Sequence, residues 1–143
     1  MMIPGRCHCG NIAFSFAWEP DPKQIPARAC ACSFCSKHGG VWTSNPRGAL
    51  RIAVRDPALV SNYTFGTGNA SFHVCSRCGI VPFVTARIDG KLYGVVSVNA
   101  FEGIEKSLIR REPADFDGED GATRVARWKR NWIADVDYVD VTA

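Results

Sequence analysis

Residues 11–18, NIAFSFAW, alternate: Ile12, Phe14, Phe16 and Trp18 fall on one side of an extended chain, with Ala13, Ser15 and Ala17 on the other. That is the period of two of a strand with one buried face. Apolar stretches of strand length recur at 50–54, 59–65, 70–75, 82–88, 92–98 and 107–111. Turn formers stand between them. Asp89-Gly90 predicts a hairpin, Gly39-Gly40 and Asn45-Pro46 predict turns, and the three prolines of EPDPKQIP (19–26) mark a loop leading to Ala29-Cys30. Two segments carry a helical signal. In the first, Ser33 caps a short helix through Phe34, Cys35 and Ser36 that Gly39-Gly40 ends. In the second, GATRVARWKRNW (121–132), Val125, Trp128 and Trp132 share one face while Arg124, Arg127 and Arg130 lie elsewhere. Many short strands joined by Gly-rich turns predict a mainly β, mostly antiparallel fold with one or two short helices.

Composition narrows the class. A chain of 143 residues, 46% hydrophobic and 22% charged, buries one ordinary core, so a single domain over 1–143 is expected. The amino-terminal MMIPGRCHCG has Arg6 but no apolar run behind it, so no secretory leader is expected, and no stretch approaches membrane length. A cytoplasmic location without a membrane partner follows as the expectation. The net charge of +3 does not by itself imply a nucleic-acid partner, because electrostatic footprints come from clustered charge. The clusters present, Arg110-Arg111 and the basic residues of 124–130, read as solvated faces of elements that bury their apolar side.

Cysteine changes the picture more. There are seven, at 7, 9, 30, 32, 35, 75 and 78. An odd number cannot pair completely within one chain, and a reducing compartment keeps thiols free. Free cysteines do pack as small hydrophobes, but three tight clusters favour metal. In CHCG (7–10), an extended backbone would turn the sulfurs of Cys7 and Cys9 to one side. In CSRCG (75–79), a two-residue spacer lets a tight turn aim Cys75 and Cys78 inward, with Gly79 free to take positive φ. Together these four thiolates match a closed structural zinc site. Cys30, Cys32 and Cys35 remain. Three protein ligands with an open fourth position are how catalytic zinc is held, and the first turn of a helix would favour Cys35 as a thiolate. Two other readings stay open: His38 closing the set as Cys₃His, or a metal-free redox thiol cluster. His8 is expected to face solvent. His73, in strand parity with Cys75, is expected to be satisfied or exposed rather than a ligand.

Taken in order, GRCHCGNIAF, CACSFCSKHGG and FHVCSRCGIVPF, within residues 5–99, resemble the glutathione-dependent formaldehyde-activating enzyme family, also called the GFA or CENP-V/GFA domain family. The resemblance implies a compact Mss4-like fold of coiled sheets with zinc knuckles. It implies two zinc ions per chain, a structural one on Cys7, Cys9, Cys75 and Cys78 and a catalytic one on Cys30, Cys32 and Cys35. The activity it implies is carbon-sulfur lyase chemistry, the reversible condensation of glutathione with formaldehyde to S-hydroxymethylglutathione, so the expected partners are a small thiol and an aldehyde. An open Cys₃ site suits this, since coordination strips the proton from an incoming thiol. The rival reading is a non-enzymatic zinc module that binds protein or nucleic acid through Arg110, Arg111 and the basic residues of 124–130. Residues beyond 99 carry no motif of their own.

Overall fold

The computed structural model describes residues 1–140. In chain order its elements are β1 (Met2–Arg6), β2 (Ile12–Ala17), β3 (Ile25–Cys30), α1 (Ser33–His38), β4 (Val41–Thr43), β5 (Ala49–Val54), β6 (Val60–Tyr63), β7 (Ser71–Cys75), β8 (Phe83–Ile88), β9 (Lys91–Ser97), β10 (Ile109–Ala114), α2 (Gly121–Asn131) and β11 (Asp135–Tyr138). They form a four-stranded sheet, β1-β2-β5-β11, and a seven-stranded sheet, β10-β3-β4-β9-β8-β7-β6. The fold is mainly β, as its alternating segments predict.

The alternation decides which side chains meet. Ile12, Phe14 and Phe16 of β2 are buried, as are Leu50 and Ile52 of β5 opposite them. These pack with Ile3, Ile25, Phe83, Val96 and Ile133 into the main core between the sheets. Strands β8 and β9 are buried on both faces. Phe83 and Val96 point into that core, whereas their neighbours Val84 and Val95 join Trp42, Phe72, Trp128 and Trp132 in a second one. Continuous apolar runs such as LYGVVSV suit a strand covered on both sides, and the second cover is α2.

The pairing is mostly antiparallel, as expected, with two exceptions: β10 runs parallel to β3, and β11 parallel to β5. Both strands come from the carboxyl-terminal part, which returns across the molecule to pair with earlier strands. Four strands also lie outside the apolar stretches read from the sequence. Of these, β1 contains Pro4 and Gly5, β3 begins inside the proline-rich loop, β4 has three residues, and β11 is an edge strand reading Asp-Val-Asp-Tyr. Each is held by its neighbours rather than by a pattern of its own.

Gly5 shows how tightly the smaller sheet packs. It stands opposite Phe14 across the β1–β2 pair, and a β-carbon there would overlap the Phe14 ring. Overpacking of this kind costs about 1–3 kcal/mol. Gly5→Ala is therefore expected to lower the urea midpoint by that free energy while leaving the slope of the transition unchanged; an unaltered midpoint would contradict the packing described.

Candidate metal centres

Cys7 and Cys9 sit in the connection between β1 and β2. The backbone here is a turn, not the extended strand expected from CHCG: the Gly10 N–H donates to the Cys7 carbonyl at 3.1 Å, and Gly10 takes φ 83°. The turn still brings the two sulfurs to 3.7 Å. At the end of β7 the CSRCG knuckle forms as its spacing predicts, with the Gly79 N–H donating to the Cys75 carbonyl at 2.7 Å and Gly79 at φ 81°. The Sγ atoms of Cys9 and Cys75 are 3.5 Å apart, and all four sulfurs lie within 4.8 Å of one another. A tetrahedron with metal–sulfur bonds of about 2.3 Å has edges of about 3.8 Å, so the donor set fits zinc.

The thiols of this group differ by environment. Burial pushes Cys7 up to about 11. For Cys78 burial acts the same way, but hydrogen bonds from the Cys9 and Ile80 backbones, and from Cys75 and Cys7, hold it down to about 6. Cys7 and Cys75 belong to the main core. The group thus joins the β1–β2 connection of one sheet to the end of β7 in the other.

The second group is built at the junction of β3 and α1. Cys30 ends β3, and Cys35 is buried in the first turn of α1. The cap is Cys32, not Ser33 as the sequence suggested: its sulfur accepts the Cys35 backbone N–H at 3.3 Å. A side-chain acceptor one residue earlier does the capping, which also aims Cys32 at its fellow thiols. The helix ends at Gly39 in the left-handed conformation. The three sulfurs lie within 4.8 Å of one another, and this donor set also suits zinc. Among the described residues no histidine or carboxylate joins them. His38 packs against Phe34 instead, the rings tilted by 54° with centroids 4.4 Å apart.

The electrostatics of the trio are asymmetric. The hydrogen bond with Cys35 outweighs burial and, helped by the Cys32 backbone N–H, holds Cys30 down to about 5. The same bond, then burial, pushes Cys35 up; the indole N–H of Trp42, donating to its sulfur at 3.3 Å, opposes the rise. Of this pair Cys30 is favoured as the thiolate, not Cys35 as the helix position suggested.

These sulfurs open onto a cavity of about 150 Å³. Arg28, two residues before Cys30, lines it too, as do Phe116, Trp128 and Trp132. Trp128 and Trp132 stack with centroids 4.5 Å apart. Arg124 and Arg127, read from the sequence as a solvated face, also line the cavity and are only 25% and 16% exposed as side chains. Glu119, itself 14% exposed, draws them in: Arg127 donates to both its oxygens at 3.0 Å and stacks on Phe116 at 3.6 Å. Arg127, with Arg124, holds the Glu119 carboxyl below its usual range.

The remaining candidates sit as follows. His8 is exposed. His73 is buried, with Nε2 2.7 Å from Thr85 Oγ1, and burial drives it down to about 4. Arg110 pairs with Glu112, and Arg111 donates to Asn99. Sequence reasoning missed Arg28, Trp42 and the aromatic wall. Strand parity with Cys30 signals Arg28; no local signal marks the others.

Known proteins resemble this chain. The family described as "Glutathione-dependent formaldehyde-activating enzyme" matches residues 2–111, which include all seven cysteines and stop before α2. A Halomonas elongata protein named "Putative glutathione-dependent formaldehyde-activating enzyme" is 33% identical over 85 residues, 54% of this chain and 52% of that one. The chain thus matches about half the length of that relative. A crystal structure of a Rhodobacter sphaeroides protein is 30% identical with a TM-score of 0.55, covering 73% of this chain and 92% of the other. With the match spanning both cysteine groups and most of the chain, the protein belongs to the glutathione-dependent formaldehyde-activating enzyme family.

Proposed function

We propose that this chain, working as one domain, is a carbon-sulfur lyase that joins a thiol to an aldehyde and reverses the step. The observation that carries the reading is the Cys30, Cys32, Cys35 trio facing a cavity, with no fourth protein donor among the described residues. In this reading Cys7, Cys9, Cys75 and Cys78 hold a structural zinc and the trio holds a catalytic one, which supplies charge that lowers the pKa of a bound thiol and polarises a carbonyl oxygen. The substrates proposed, glutathione and formaldehyde, follow the description of the family and the name of the Halomonas protein.

The bond changes balance simply. The thiol sulfur forms a bond to the aldehyde carbon, the carbonyl π pair moves to oxygen, and that oxygen takes the proton the thiol gives up. The reverse step breaks the same carbon-sulfur bond. Around this chemistry the chain supplies position and an apolar lining. Trp42 fixes Cys35 through its indole, Cys32 is fixed by its capping bond, and the stacked Trp128–Trp132 pair lines the cavity with apolar surface.

The non-enzymatic rival has less support. A phosphate surface needs free cations, yet of the residues it would use Arg110, Arg124, Arg127 and Lys129 are each paired with a carboxylate and Arg111 donates to Asn99, which leaves Arg130. No helix among the described residues is long and apolar enough to cross a membrane. Seven unpaired thiols suit a reducing compartment, so a cytoplasmic location is proposed.

Exchange between glutathione and S-hydroxymethylglutathione in the presence of formaldehyde, followed by NMR, tests the reading. The exchange rate is expected to rise in proportion to protein concentration. No acceleration over the protein-free mixture, with zinc present, would overturn the formaldehyde assignment.

A further inference from the structure

Arg28 stands apart from the other cations of the cavity. Arg124 and Arg127 are both spent on Glu119, while Arg28 has no carboxylate within ion-pair distance among the described residues. Its head is nonetheless held: it donates to Ser44 Oγ at 3.1 Å, and the Ser44 hydroxyl donates to the Asn131 carbonyl of α2 at 2.7 Å. A guanidinium has five N–H donors in a planar fork, so most of its hydrogen-bonding capacity is left over. No buried side-chain nitrogen or oxygen of the described residues lacks a partner, so the remaining donors are not walled in. They belong to a side chain that lines the cavity.

Position makes this useful. Arg28 and Cys30 are two apart on β3, hence on the same side and about 7 Å apart along the strand. The lining of the cavity is mostly apolar, and an ion pair formed inside it is screened less than one in open water. At about 150 Å³ the cavity is about half the lower limit for drug-sized ligands. It fits the sulfur end of a ligand, with a longer molecule leaving its remainder outside. Asp117, the acidic lining residue, is exposed.

We propose that Arg28 receives a carboxylate carried by the thiol substrate, so that the enzyme selects acidic thiols with the sulfur turned toward Cys30, Cys32 and Cys35. The assignment rests on the lyase reading above and specifies its substrate class. Arg28 is then a specificity residue, which binds the substrate without entering the bond changes.

Two thiols of equal length test it, 3-mercaptopropionate and 3-mercaptopropan-1-ol, each titrated calorimetrically into zinc-loaded protein and each assayed for exchange with formaldehyde. Hydrogen bonds to a charged group predict about 10- to 100-fold tighter binding of the carboxylate by the wild type. Arg28→Met should bring the preference to within about twofold without changing the affinity of the alcohol, and Arg28→Lys should retain part of it. Equal binding of both thiols by the wild type overturns the assignment. So does an Arg28→Met variant that weakens both alike, since Arg28 would then serve the cysteines or the fold. If the methionine variant does not fold, Arg28→Lys decides: the advantage of the carboxylate must fall while the affinity of the alcohol stays, and an unchanged advantage overturns the assignment. The two readings fail differently. Preference in binding without accelerated exchange sustains Arg28 and overturns the lyase. Equal acceleration of both thiols, unchanged in Arg28→Met, sustains the lyase and overturns Arg28.

Discussion

Cys78→Ala will lower the melting temperature by about 15 °C at fixed zinc concentration. The reason lies in what its group joins. Cys7 and Cys9 hang from the β1–β2 connection of the smaller sheet, and Cys75 and Cys78 end β7 of the larger one. Unfolded, these pairs are separated by a long stretch of chain and offer no preformed site, so the free energy of binding a zinc ion there is folding free energy. Removing one of four ligands belongs among the exceptional single substitutions, with a loss on the order of 4 kcal/mol. For a chain of this size each kcal/mol moves the midpoint by about 4 °C. Cys78 is the cleanest of the four proposed ligands to remove, because it is only partly buried whereas Cys7 and Cys75 lie in the core. Circular dichroism at constant free zinc is the measurement, since melting depends on ligand concentration. A midpoint within a few degrees of the wild type would mean that the four sulfurs do not carry a structural ion.

The sequence exposes what is local and hides what is assembled. The β2 alternation, the CSRCG knuckle and the three-cysteine trio are legible because each is a few residues long and its geometry follows from backbone period and spacing. The Trp42 indole bond to Cys35 is not, although only seven residues separate them, because it depends on how β4 pairs beside β3. The arginines of α2 misled for a related reason. On a helical wheel Arg124 and Arg127 look solvated; Glu119, just before the helix, turns them inward and locks them beside the cavity. Polar strand β11 is visible only through its partner β5. Strands and walls that the rest of the molecule imposes leave little trace in their own residues.

Cys30→Ala should reduce the exchange activity at least about 100-fold while leaving the fold nearly intact. Losing even an outer partner of a metal ligand commonly costs 10- to 100-fold, and Cys30 is itself a ligand in the proposed site. The zinc count should fall from two per chain to one. Cys30 is half-buried and lies outside the group joining the two sheets, so its removal should cost no more than about 1 kcal/mol, an ordinary value for a single substitution. Cys35→Ala should be as inactive but less stable, because its sulfur accepts the buried Trp42 N–H, and orphaning that donor costs about 1–3 kcal/mol. The expected order of melting temperatures is thus wild type, Cys30→Ala, Cys35→Ala, Cys78→Ala, while activity separates only the wild type from the two trio variants. Zinc analysis, melting and NMR exchange on the same preparations check the series. If Cys30→Ala melted as low as Cys78→Ala, the trio would be holding the fold rather than the chemistry, and the division between the two groups of sulfurs would be wrong.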